Sequence, residues 1–408
     1  MNVTGKNFRA NNGLRVTIGP GQPSDDTPSV SPSGCQLPQR GSREGFCHST
    51  GYSLKSGGTG DFHRPYGGRV PFIVPPGDSN VAGDFHRPYE TLFFTFYHSM
   101  GVGVAEMGGR WENVGKKQQK EMPMDYTHCV LCPRECGVNR EAGERGFCGC
   151  PDRALVAKTM LHKWEEPVLA GNGGSGAIFF GGCTLGCRYC QNAAISGGPV
   201  GKPADSAQLR RIMEALIAQG AENIDLVTPT HFLPTILPAL SPKLPVPVVY
   251  NCGGYEKPET IRALKGLVDI YLPDLKYTDS RLALQLSAAP DYFPTAAAAI
   301  REMADQVGPP QWQGEKLKRG VVIRHLILPG QVENSLKALD WIGEQFRPGE
   351  VLVSLMRQYT PMGGLPAPYD RRITDEEYDA VLSWMYLNDL EGFVQEAEAA
   401  DKGFIPDF

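Results

Sequence analysis

Long apolar runs are missing from this sequence: no stretch approaches the ~18–20 residues that a membrane-spanning helix needs. The N-terminus also lacks the apolar h-region of a secretory signal. Basic charge is not in excess either. Forty Lys and Arg stand against 45 Asp and Glu, a net charge of −5, whereas a nucleic-acid-binding face calls for a basic surplus. The one compact basic run, GKKQQK at 115–120, reads as a solvated linker. Over residues 1–24 it is acid that is absent: Lys6, Arg9 and Arg15 occur without Asp or Glu, a faint echo of an organellar transit peptide. These absences predict a cytoplasmic protein without a membrane or nucleic-acid partner.

Cysteine is plentiful but unevenly spread. Of 11 cysteines, eight lie between Cys129 and Cys190. In a chain of this size without an export signal, such clustering points to metal or cluster ligation rather than a disulfide framework. The apolar fraction, 41%, is enough for a large buried core, and the length suits two average domains or one α/β barrel with appendages.

Three regions follow. Residues 1–121 are rich in Gly, Ser, Pro and Asn, with few periodic apolar segments, and are expected to form a disordered tail. GDFHRPY occurs there twice, at 60–66 and 83–89, too few copies for a solenoid. Cys35 and Cys47 are expected to be free thiols. Residues 122–170 form a cysteine-rich segment. From 171 to 408 the pattern becomes regular, with β-branched apolar runs at 176–180, 223–229, 246–251, 268–273, 321–328 and 351–356. Helical periodicity fills 207–220, 258–267, 296–308 and 335–346 between them. A closing helix spans 374–389, with Thr374 as its N-cap. Alternating strands and helices imply βαβ crossovers and a parallel sheet. Six units fit a partial (β/α)6 barrel of the TIM type; a doubly wound open sheet is the competing arrangement.

GGCTLGCRYCQN (181–192) follows the first of these strands and spaces Cys183, Cys187 and Cys190 as C-x3-C-x2-C. On a helix these positions would share one face, but Gly181, Gly182 and Gly186 favour a wrapped loop. An ordinary 4Fe–4S cluster takes four thiolates. Three leave one iron open, as a catalytic zinc site keeps a position free. Upstream, CVLCPRECGVNREAGERGFCG (129–149) holds Cys129, Cys132, Cys136 and Cys148, a complete four-thiolate set suited to structural zinc or a second 4Fe–4S cluster. Cys150 is an awkward fifth, and His128 is adjacent to the set.

The three-cysteine loop, with an aromatic (Tyr189) before its last cysteine, resembles the signature of the radical S-adenosylmethionine (SAM) superfamily. The resemblance implies that SAM chelates the open iron and is reductively cleaved to methionine and a 5′-deoxyadenosyl radical. Together with that loop, the upstream CVLCPRECGVNR and GERGFCG, HKWEEP (162–167), LVTPTH, YLPDLKY, IRHLILPG (323–330) and FIPDF are similar to homologues of pyruvate formate-lyase activating enzyme that carry an extra N-terminal cysteine motif. The similarity covers about 129–408. It implies SAM contacts from Asp274 and Lys276 in DLK, and a carboxylate clamp by Arg324, a role that guanidinium geometry suits. Thr228 and Asn251, at strand ends where the chemistry of parallel barrels gathers, and Tyr189 in the loop complete the expected cofactor-binding set; Thr230, His231, His325, Gln358 and Tyr359 also stand at strand ends.

The chain also departs from that family. Thr228-Pro229-Thr230 stands where activating enzymes carry Gly-Gly-Glu for the SAM amino group. Asn251-Cys252 stands where they carry an acid, and Tyr359-Thr360 where a histidine is usual. The resemblance implies an activating-enzyme-like oxidoreductase, reduced by a donor such as flavodoxin or ferredoxin, with a glycyl-radical enzyme as protein substrate. Radical modification of another peptide, RNA or small molecule is the alternative, and a non-catalytic iron–sulfur or zinc protein is the reading from a different class.

Overall fold

The computed structural model describes residues 124–395 and two short N-terminal strands. These are β1 (Asn7–Arg9) and β2 (Arg15–Ile18), which fall within the segment expected to be a disordered tail. The remaining expectations for 1–121, including Cys35 and Cys47, and the C-terminal FIPDF lie outside the described residues. In chain order there follow β3 (Ala154–His162), α1 (Pro167–Ala170), β4 (Ser175–Phe180), α2 (Ala193–Ser196), β5 (Lys202–Ala204) and α3 (Ser206–Ala218). Then come β6 (Ile224–Val227), a 3-10 turn at Thr230–Phe232, α4 (Leu233–Ala239), β7 (Val248–Cys252), α5 (Pro258–Arg262) and β8 (Ile270–Pro273). The chain continues through α6 (Ser280–Ser287), α7 (Tyr292–Val307), β9 (Gln311–Gln313), β10 (Lys316–Leu326), α8 (Val332–Gln345), β11 (Leu352–Met356), α9 (Asp375–Leu387) and β12 (Gly392–Val394). Among the described residues no helix is long and apolar enough to cross a membrane.

The central ladder runs β4-β6-β7-β8-β10-β11-β12, every pair parallel and every strand in chain order. A doubly wound sheet reverses its strand order at a switch point; this one does not. β3 and β5 extend the sheet antiparallel beyond β4, so part of the segment expected to be separate belongs to the sheet. Both faces are buried, as parallel sheets require. Ile178, Leu226, Tyr250, Tyr271, Ile323 and Leu355 join the core shared with the long helices. Their neighbours Val249, Ile270, Leu272, Val322 and Leu352 pack on the opposite face against Val168 and Leu169 of α1. Successive residues of a strand thus divide between the two layers, the period-two rule at work.

The sheet is strongly curled. From β4 to β11 there are five inter-strand gaps, about 24 Å in a flat sheet. Yet the loops after these two strands touch: Gln191 Nε2 donates to Gln358 O at 3.1 Å, and the Tyr189 and Tyr359 rings lie 6.0 Å apart. Among the described residues β4 and β11 do not pair, so the curl stays open. Local signals set the helix starts. Asp205 caps α3 and Thr374 caps α9, each in a capping box with Gln208 or Glu377. The strand expectations match to within a few residues, but 258–267 is helical only to Arg262. Glycine at 266, with φ +82°, ends that segment in turns.

Candidate functional site

β4 is buried along its whole length, and the three-cysteine loop begins where it ends. Gly182 is the hinge. Its φ is +75°, and a Cβ there would run into Cys150 Sγ. Cys183, Cys187 and Cys190 are partly exposed, and all nine described cysteines are free thiols. Each loop sulfur accepts a hydrogen bond: from Leu185 N to Cys183 (3.3 Å), from Ser287 Oγ to Cys187 (3.0 Å) and from Ser196 Oγ to Cys190 (3.3 Å). Burial, reinforced by the neighbouring thiols, pushes Cys183 and Cys187 up. Thiols pressed together and supplied with donors suit a group that brings positive charge among them, and bound thiols lose their protons. Among the described residues no three His, Cys, Asp or Glu are drawn closely enough around one point for a single ion. A four-iron cluster carries each thiolate on its own iron, and the loop fits that donor set.

Behind the loop runs a hydrogen-bonded chain that the sequence did not reveal. Tyr189 OH meets Tyr277 OH at 2.7 Å, Tyr277 OH meets Ser287 Oγ at 2.6 Å, and Ser287 Oγ reaches Cys187. Tyr189, expected to contact the cofactor, is buried, and its hydroxyl braces the loop through Tyr277. His231 is buried as well, with Nε2 2.9 Å from Gly181 O, and burial lowers its pKa. Thr230 bonds Tyr250 OH at 2.9 Å, and Tyr359 OH donates to Tyr369 O at 2.7 Å. His325, its pKa lowered to about 4 by burial, stays neutral between Leu275 O (2.6 Å) and Ser335 Oγ (2.8 Å). These four strand-end residues support the fold.

Asp274, Lys276, Arg324 and Asn251 do come together. Arg324 donates from Nε to Asp274 Oδ1 (2.8 Å) and from Nη2 to Asn251 Oδ1 (2.7 Å), while its Nη1 stands 3.7 Å from Glu165 Oε1. Lys276 Nζ pairs with the other oxygen of Asp274. Burial alone would raise the Asp274 carboxyl, but Arg324 and Lys276 outweigh it and hold it low. Burial pulls the Lys276 amine down, yet Asp274 and the nearby Cys187 keep it above its ordinary value. Lys276 therefore links this network to the cysteine loop. Thr228 lies beside it at the end of β6 with φ +58°, a left-handed conformation rare outside glycine and held by Thr228 N donating to Asn251 O (2.8 Å).

Sequence reasoning assigned no role to Glu165, Glu166 or Asp225, which complete the network from below. Asn251 Nδ2 donates to Asp225 Oδ2 at 3.3 Å. Burial first, then Glu165, raises Asp225; burial and the same neighbour push Glu166 up to about 7. HKWEEP was the only available signal, and nothing in its spacing shows two carboxyls entering the concave side of a sheet.

The four-cysteine segment has no helix or strand. Paired backbone bonds, Cys129 N to Val138 O and Gly137 N to Cys129 O, both 3.0 Å, fold it into a knuckle. Phe147 N donates to Cys136 Sγ at 3.3 Å, which brings the fourth cysteine's neighbourhood back to the third. Cys132 is raised to about 12 by burial. Hydrogen bonding from Cys150 holds Cys148 below the usual thiol range, with His231 and Arg140 helping. Cys150 itself is fully buried, and its Sγ lies 3.3 Å from both Cys148 O and Gly181 O, so it joins the two cysteine regions. His128 is exposed. The segment is seated by Arg140, a buried arginine bonded to Pro151 O and His231 O and stacked 4.4 Å over Tyr126. Tyr126 in turn meets Thr235 Oγ1 at 2.8 Å, and Thr260 donates to Leu131 O at 2.7 Å.

Residues 169–230, which include the three-cysteine loop, match the family model of a 4Fe-4S single cluster domain. "Uncharacterized protein MJ0674" of Methanocaldococcus jannaschii is 31% identical over 270 residues, covering 63% of this chain and 74% of that protein. Streptococcus suis SuiB bound to S-adenosylmethionine aligns over 53% of this chain and 48% of its own, with 14% identity and a TM-score of 0.38. A domain of the pyruvate-formate lyase-activating enzyme of Bacteroides vulgatus aligns over 46% and 90%, with 12% identity and a TM-score of 0.28. The chain thus spans about half of SuiB.

Proposed function

We propose that this chain, which belongs to the same family as the Methanocaldococcus jannaschii protein MJ0674, is a radical SAM enzyme with its 4Fe–4S cluster on Cys183, Cys187 and Cys190. The observation that carries the reading is the loop itself: three partly exposed thiols, each accepting a hydrogen bond, at the end of the first strand of a curled parallel sheet. The sheet is read as a partial (β/α)6 barrel, whose chemistry belongs at the C-terminal strand ends. When bound, the cluster supplies the electron that cleaves SAM to methionine and a 5′-deoxyadenosyl radical.

The protein's share is to hold and to shield. Ser287, Ser196 and the Leu185 amide fix the sulfurs, and Lys276 places a positive charge beside Cys187. Arg324 and Asn251 would belong to the SAM-binding set, and Arg324, whose Nη1 is its donor least engaged within the protein, would pair with the carboxylate. Asp274 and Thr228 hold those groups in place. The substrate is a backbone glycine of a protein, as in activating enzymes, and a flavodoxin or ferredoxin serves as donor. The four-cysteine segment holds a second 4Fe–4S cluster, with zinc as the competing occupant.

Anaerobically reconstituted, reduced protein is expected to convert SAM to 5′-deoxyadenosine, and Cys187→Ala to abolish it. No product above background from the wild type would overturn the reading.

A further inference from the structure

Arg134 lies between Cys132 and Cys136, yet its side chain is spent on the other cysteine region. Nε donates to Thr184 O at 2.9 Å, inside the three-cysteine loop. Nη1 reaches Ala288 O at 2.6 Å and Nη2 reaches Ser287 O at 3.2 Å. These last two carbonyls close α6, whose final turn has no intrahelical donors for them. A guanidinium there also meets the negative end of the helix dipole. The loop sends a second donor to the same helix end, Arg188 N to Leu286 O at 2.8 Å. Ser287 is also the residue whose hydroxyl donates to Cys187 Sγ. One side chain therefore holds the loop backbone and the residue that supports its middle sulfur.

The guanidinium is itself held between rings, 3.8 Å from the centroid of Phe147 and 5.2 Å from that of Tyr255. Phe147 precedes Cys148, so the fourth cysteine's neighbourhood also bears on Arg134. The Phe147 edge would stand 3.4 Å from a Cβ on residue 186, so the ring lies against the loop at contact distance.

We propose that Arg134 is a positioning residue that couples the state of the four-cysteine segment to the shape of the loop Cys183–Cys190. With Cys132 and Cys136 held by their metal, the stretch carrying Arg134 is fixed and Thr184, Ser287 and Ala288 stay braced. With that segment empty, the brace slackens and the loop moves more freely. What the loop does rests on the SAM reading above; the brace does not.

The test is hydrogen exchange by mass spectrometry on the full chain, reconstituted anaerobically, as a cycle of four proteins: wild type, Cys129→Ala/Cys132→Ala, Arg134→Gln and the combination. Amides 184–190 are expected to exchange about tenfold faster in Cys129→Ala/Cys132→Ala and in Arg134→Gln, with little further change in the combination. Peptides from β7 serve as the control and should not change. Arg134→Lys keeps the aliphatic stem and the charge, and covers the case in which Arg134→Gln fails to fold. It should resemble Arg134→Gln, because an ammonium cannot span three carbonyls. A second readout is the EPR signal of the reduced loop cluster on addition of SAM, which should broaden in Arg134→Lys. Wild-type exchange in Arg134→Lys, or full additivity in the cycle, would overturn the coupling. Absence of deoxyadenosine from the wild type would overturn the SAM reading while leaving the exchange result standing.

Discussion

Cys183, Cys187 and Cys190 hang from the end of a buried strand, whereas Cys129, Cys132, Cys136 and Cys148 sit in a stretch with no regular structure. The first set inherits its position from the sheet, with local donors on Cys183 and Cys190 and one from α6 on Cys187. The second is placed by side chains that cross to other elements: Arg140 to His231 O, Arg134 to the loop and α6, and Tyr126 to α4. Backbone ladders fix a site whatever it binds. A knuckle clamped by two arginines depends more on its metal for rigidity, as small metal-bound segments do.

The largest expected effect in testing this contrast is on metal content. Anaerobically purified wild type should carry about eight irons and Cys129→Ala/Cys132→Ala about four, with the loop's cluster retained. Four irons plus one zinc in the wild type, with only the zinc lost in the variant, would make the segment a structural zinc site.

Next in size is Arg324. Arg324→Lys keeps the charge but loses the fork that joins Asp274 to Asn251, so SAM affinity should fall on the order of tenfold at unchanged iron content. Unchanged affinity would confine Arg324 to the fold.

A separate effect, on stability rather than on binding, is a pH dependence from Glu166. Its carboxyl, raised from 4.5 to about 7 by burial and Glu165, keeps a proton in the folded chain that the unfolded chain has lost. Its contribution to stability therefore falls as pH rises from 4.5 through 7. Glu166→Gln should gain stability over the wild type by up to about 3 kcal/mol at pH 8, and by much less at pH 5. Equal differences at both pH values, from urea titrations, would contradict this.

The sequence was most legible where periodicity and spacing speak. The six parallel strands, the Thr374 cap and the cysteine loop stand where composition and glycine placement put them. Strand order, which separates a singly wound sheet from a doubly wound one, depends on tertiary pairing and leaves no local trace. α1 spans only four residues, too short for a periodic signal, so its place on the concave face and the approach of Glu165 to Arg324 were out of reach. Tyr189 and His231 show a related limit: a polar side chain beside a site is equally consistent with facing a ligand and with bonding a buried partner, and both bond buried partners. Arg134 and Arg140 lie in an irregular stretch, where an arginine bound to distant carbonyls cannot be told from a solvated one.

An open iron at the three-cysteine loop is tested most directly by EPR of the reduced Cys129→Ala/Cys132→Ala variant, which is expected to carry that cluster alone. Addition of SAM should change the g-values of its 4Fe–4S signal, because the ligand binds the iron that lacks a cysteine. A signal identical with and without saturating SAM would contradict the central claim.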